Sequence, residues 1–124
     1  MDDSKIKEIL QMYFDGCCGG DPEKIKIVFH NPAHIYGHGD DGKLTDWSKD
    51  DFVKRVGSNN PALLHPGFPR QDEILSIDFT GEKTAVAKVK IRIGNNLYTD
   101  ILSFMQLDGK WGIISKLFSK VPAV

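Results

Sequence analysis

The sequence predicts an α+β fold: a cone made by a curved antiparallel sheet with three helices packed on its concave side. Three observations predict it. Residues 81–120 alternate with period two between tight turns. Upstream, as far as Gly57, apolar residues recur at three-and-four spacing behind helix-capping residues. Helix patterns come first and strand patterns last, an order that gathers helices on one side of an antiparallel sheet.

The 124 residues fit one domain, 1–124. A chain of this length buries roughly two-thirds of its unfolded surface and needs no staples. Hydrophobic content of 40% and charged content of 27% are the balance of a soluble globule, not of a disordered chain. A net charge of −1 provides no basic field, so no nucleic-acid partner is expected. No apolar run reaches about 18 residues, so no membrane span is expected. Cys17 and Cys18 are adjacent and cannot staple distant segments. With an acidic Met1-Asp2-Asp3 start that lacks an apolar leader, they predict a cytoplasmic protein. No cofactor is expected.

Along the chain, Asp2, Asp3 or Ser4 caps a first helix whose stripe is Ile6, Ile9, Leu10, Tyr13, Phe14 and Cys17. Gly19-Gly20 stops it. Asp21 caps a short second helix with Pro22 at its first position and Ile25, Val28 and Phe29 on its buried face. Asn31-Pro32 ends that helix. Ala33 to His38 is a short first strand, followed by a loop through Asp40-Asp41-Gly42. Ser48 caps a third helix with Phe52, Val53 and Val56 as its stripe and Gly57 as its end. Ser58 to Arg70 reads as a long irregular loop. Asp72 to Phe79 is the second strand.

Three strands then follow, with turns at Gly94-Asn95-Asn96 and Asp108-Gly109. A three-residue loop at Leu107-Asp108-Gly109 is preferred for the last hairpin. It sets Gln106 opposite Lys110 and Asp100 opposite Lys116, an opposite-charge pair worth roughly 0.2–1 kcal/mol. Ala87, Val89, Ile91, Ile101, Met105, Trp111, Ile113 and Leu117 then share one face. Lys88, Lys90, Arg92, Tyr98, Asp100, Leu102, Phe104, Ile114, Lys116 and Phe118 share the other.

Several stretches carry a family likeness: Tyr13 to Gly16 through Gly20-Asp21, Phe29 to Gly37, Ile74 to Asp78, Thr84 to Val89, Tyr98 to Ser103, and Asp108 to Phe118. In these the chain resembles nuclear transport factor 2-like domains, which are also called cystatin-like. Within them it is most similar to the bacterial group called putative lumazine-binding proteins. The resemblance covers nearly the whole chain. It implies a cone-shaped pocket for a small-molecule ligand and a homodimer formed through the sheet. It does not fix an activity, because this superfamily hosts isomerases, cyclases, dehydratases, hydrolases and proteins without catalysis.

Ketosteroid isomerase, within the same superfamily, uses a helix tyrosine, a carboxylate base and a second carboxylic acid. By this likeness Tyr13 falls on the tyrosine, Gly37 on the base and Leu102 near the second acid. Two of the three groups are missing, so that chemistry is not expected. The same likeness turns Leu102 toward the pocket, with Tyr98, Asp100, Phe104 and Lys116 beside it. Asp100 between Lys90 and Lys116 then makes a polar cluster able to hydrogen-bond a polar ligand. His38 borders the missing base. Trp47, Phe52 and Phe68 are candidate lid residues, and Phe118 lies on the pocket face. His34 and His38 lie about 13 Å apart on one strand, at ~3.3 Å per residue, too far for one ion. No metal site is expected.

The reading favoured is a domain that binds a small, partly apolar ligand. One alternative is a cyclase, isomerase or dehydratase using Tyr13 with His38 or Asp100. Another is a protein-association module using the exposed sheet face.

Overall fold

The computed structural model describes residues 2–58 and 70–122. The elements run α1 (Ser4–Gly19), α2 (Pro22–Val28), β1 (Phe29–His38), β2 (Leu44–Ser48), α3 (Lys49–Ser58), β3 (Asp72–Phe79), β4 (Thr84–Ile93), β5 (Asn96–Leu107) and β6 (Lys110–Pro122). The strands form one curved sheet in the order β2-β1-β6-β5-β4-β3. All pairs are antiparallel except β1 with β6, which is parallel. The helices pack against β1, β4 and β6 and cover the core. Ile6, Leu10 and Tyr13 of α1 and Ile25 and Val28 of α2 meet Ala87, Val89, Ile91 and Leu102 of the sheet there. Among the described residues no helix is long and apolar enough to cross a membrane.

The helix boundaries follow local chemistry. The Ser4 N–H donates to Asp2 Oδ1, and Gly20 closes α1 in the left-handed region at φ 60°. Asp21 accepts from the Glu23 N–H, with Pro22 at the first position of α2. The Asp51 N–H donates to Ser48 Oγ at the start of α3. Both cysteines lie buried on α1. Burial pushes the Cys17 thiol up to about 12 and the Cys18 thiol up to about 11, so neither is a thiolate near neutrality.

Four expectations need correction. β1 is ten residues long and begins at Phe29, directly after α2, so Asn31-Pro32 sits inside a strand. The β1–β6 pairing shifts register between Phe29 and His34, and this irregular stretch accommodates a proline that donates to no ladder. β2 was not expected at all. Its five residues pair with β1 through His34↔Ser48 to His38↔Leu44, and they are too polar to show a buried alternation.

The other two corrections concern register. Gly94-Asn95 forms a two-residue turn with Gly94 at φ 59°, and Ile93 pairs with Asn96. Asp108 (φ 50°) and Gly109 (φ 77°) form a second two-residue turn, and Leu107 pairs with Lys110. Glycine at the first position, and positive φ at both positions, are the geometries that match strand twist. The first turn puts Val89 opposite Asp100, and Lys90 opposite Thr99 on the outer face, so Lys90 and Arg92 leave the expected cluster. In the last hairpin Phe104 faces Ile113 but Ser103 faces Ser115, so Ile114 is an extra residue in β6. Asp100 therefore lies opposite Phe118 instead of Lys116, while Leu102 lies opposite Lys116. The expected loop Ser58 to Arg70, with Phe68, falls outside the described residues apart from its ends.

Lys49 is a buried lysine at the start of α3. Its Nζ donates to Lys26 O at 2.8 Å, Phe29 O at 2.7 Å and Asn31 Oδ1 at 3.1 Å. One ammonium thus uses all three donors on the α2–β1 junction, where helix carbonyls lack partners.

Two outcomes are expected. Lys49→Met strands those acceptors and should cost about 2–3 kcal/mol by chemical denaturation, at the scale of hydrogen bonds to charged groups. An unchanged midpoint would show that the junction does not need them. At pH 8 the native protein should react negligibly with a thiol reagent, and both thiols should react once it is unfolded. Because both folded pKa values lie above the ordinary 9.0, the thiols' contribution to stability is intact below pH 9. It should be lost as pH rises through about 11 to 12. Fast labelling of the native protein would contradict this burial.

Candidate functional site

The core of the cone is polar at one point. The Tyr13 hydroxyl, from the middle of α1, donates to Asp100 Oδ2 at 2.6 Å, and both residues are fully buried. Burial first, and then the Asp100 carboxylate, raise the Tyr13 pKa well above that of an ordinary tyrosine, so the hydroxyl keeps its proton. Lys116 Nζ stands 3.8 Å from the same Asp100 oxygen, an ion pair too long for a hydrogen bond. Asp100 Oδ1 is buried with no hydrogen-bond partner among the described residues.

Aromatic rings hold the Lys116 ammonium. It lies 4.6 Å from the centroid of Phe52, 5.4 Å from Tyr13 and 5.8 Å from Phe118, all within cation–π reach. The rings also pack on one another. Trp47 stacks on Phe52 at 6.4 Å with a 13° interplanar angle, and on Phe118 at 6.2 Å and 20°. Tyr98 tilts against Phe118 at 5.9 Å. The Arg55 guanidinium lies 4.5 Å over the Trp47 ring.

These side chains wall a cavity of about 470 Å³ between α3, β2, the ends of β1 and β6, and the β4–β5 turn. That volume is in the range of small-molecule sites. Of the residues singled out from sequence, His38, Trp47, Phe52, Tyr98, Lys116 and Phe118 line it. Tyr13, Asp100 and Leu102 are fully buried and do not line it. The structure joins Tyr13 to Asp100, whereas His38 is exposed at the rim, on the opposite face of β1 from Gly37. Gly37 has no room for a side chain, because a Cβ there would overlap the Phe118 ring. The position that aligned with a catalytic base is thus occupied by an aromatic ring from β6.

Arg55, Thr45, Asp40, Lys120, Cys17 and the Gly94-Asn95 turn also line the cavity and were missed. Arg55 was findable, because it follows Phe52 by three residues on one helix and shares its face. The Lys120–Asp40 pair, at 2.6 Å, joins positions eighty residues apart and leaves no local signal.

The described geometry agrees with the comparisons to known proteins. The model of the family described as "Putative lumazine-binding" matches residues 1–119. A nuclear transport factor 2-like protein of unknown function from Shewanella baltica superposes with a TM-score of 0.82 at 26% identity, over 94% of this chain and 91% of that one. One from Methylobacillus flagellatus superposes with a TM-score of 0.78 at 31% identity, over 94% and 89%. The Cladobotryum protein named Aldolase FrzH is 27% identical over 115 residues, covering 89% of this chain and 84% of that protein. With a family match over nearly its whole length and these folds as neighbours, the chain belongs to the putative lumazine-binding family of nuclear transport factor 2-like domains.

Proposed function

We propose that this domain binds a small, flat, partly apolar molecule in the aromatic cavity, with an acceptor group against Lys116. The observation that carries the reading is the Lys116 ammonium. It is buried, it faces the cavity, and it makes no hydrogen bond among the described residues. Desolvating a charged donor without an acceptor is costly, and a ligand carbonyl or anion offsets that cost. Trp47, Phe52 and Phe118 supply a flat apolar wall beside it.

A second reading is turnover, favoured by the likeness to a protein named an aldolase. Of the buried trio, Lys116 alone reaches the cavity. In this reading Lys116 donates to a carbonyl oxygen and stabilises the charge that develops there. Tyr13 and Asp100 then act as positioning residues that fix the ammonium. His38, exposed at the rim, is the remaining candidate to move a proton.

We also propose that the protein works as a homodimer whose copies meet through the outer sheet face. Tyr36, Leu117 and Val121 lie exposed there, and Ile101 is opposite Leu117. Such apolar surface marks interfaces when it is contiguous.

Native mass spectrometry of freshly purified protein should find a retained small molecule, and Thr45→Trp, which fills the cavity from β2, should lose it. A protein that carries nothing, or a variant that retains the same molecule, would count against the cavity. Conversion of the released molecule on incubation with fresh protein would favour turnover, and its recovery unchanged would favour binding. In light scattering, Leu117→Lys should turn a dimer into a monomer without unfolding it. A wild-type monomer would remove the dimer proposal.

A further inference from the structure

We infer that the ligand class for this cavity is a flat organic anion, such as an aromatic or conjugated carboxylate. The inference deepens the cavity-binding reading and rests on it. Its basis is charge. Arg55, Lys116 and Lys120 line the cavity, against Asp40 as the one carboxylate among the lining residues described. Asp40 is committed to Lys120 at 2.6 Å. Asp100 stands behind the wall near Lys116, but the Tyr13 hydroxyl occupies the oxygen that Lys116 approaches. Counting Asp100 as well, the cavity keeps an excess of one positive charge. Arg55 carries it: no carboxylate among the described residues stands within ion-pair distance of it, although its charge is felt at Asp40, and its guanidinium lies over the Trp47 ring.

Shape restricts the anion further. Arg55 and Lys116 flank the same group of rings, in which Phe52 and Phe118 each lie within 20° of the Trp47 plane. A conjugated ring in the cavity packs beside these rings, and its carboxylate then lies among the cations. Guanidinium and ammonium donors strengthen the contact, because charge-assisted hydrogen bonds are shorter and stronger than neutral ones. Lys116 is buried and the least screened of the three cations, so it contributes most to the preference over a neutral molecule of the same shape. A cationic or zwitterionic ligand gains nothing from this arrangement.

Isothermal calorimetry with 2-naphthoate and its neutral isostere 2-naphthamide tests the inference. Naphthoate should bind at least tenfold more tightly, and the preference should shrink several-fold on adding salt. Arg55→Met, a change at an exposed helix position, should reduce the preference. Lys116→Met should reduce it too, with circular dichroism as the control for folding. Equal binding of the two probes, or a preference for the amide, would overturn the anion inference and leave the cavity reading standing. No heat from either probe would count against both.

Discussion

One extra residue in β6 decides what the inside of this cone contains. Ile113, Lys116 and Phe118 all face the helices, a spacing of three and then two that no regular strand allows. The bulge at Ile114 makes it possible by shifting the pairing with β5 between Ser103 and Phe104. Without it, the period-two alternation that seats Ile113 would turn Lys116 and Phe118 outward and bring Leu117 in. Phe118 would no longer fill the space beside Gly37, and the ammonium would have neither Asp100 nor its rings. Bulges next to functional sites commonly re-aim a side chain, and here two are re-aimed together.

The polar core that results is built from unequal parts. Tyr13 and Asp100 share one short hydrogen bond deep in the domain, which leaves Asp100 Oδ1 without a partner among the described residues, and burial keeps the phenol protonated. Lys116 is held mainly by charge and ring faces, which fix its place without using its donors. Lys49 shows the opposite arrangement fewer than ten residues from Trp47 and Arg55 in sequence. There every donor is spent on backbone and amide oxygens, and the residue serves structure. Burial alone does not separate these two lysines. Their hydrogen-bond inventories do.

Much of the architecture was legible because its signals are local. Caps at Asp21 and Ser48, the glycine stop at Gly20 and the alternation of β4 each act within a few residues. The candidate site was legible by side-chain type, through Trp47, Phe52, Tyr98, Lys116 and Phe118. What escaped depends on partners. β2 is polar and becomes a strand because β1 is beside it. The Asp100–Lys116 pairing was an attractive electrostatic reason for a three-residue loop. Positive φ at Asp108 and Gly109 outweighed it, since a mere fraction of a kcal/mol rested on the charges. The pair formed nevertheless, because the bulge restored the face that the turn had reversed.

The single parallel pairing has a consequence for how the chain reaches this shape. β1 ends at His38 and β6 begins at Lys110, so two neighbouring inner strands of the sheet come from distant parts of the sequence. Contacts of that separation are late and slow to form, because a long loop must close before they repay it. During synthesis α1, α2 and the β1–β2 hairpin emerge well before the strand they must lie beside. Until β4 and β6 are made, the apolar side of α1 and one edge of β1 remain uncovered, a nascent surface suited to chaperone capture or to misassembly.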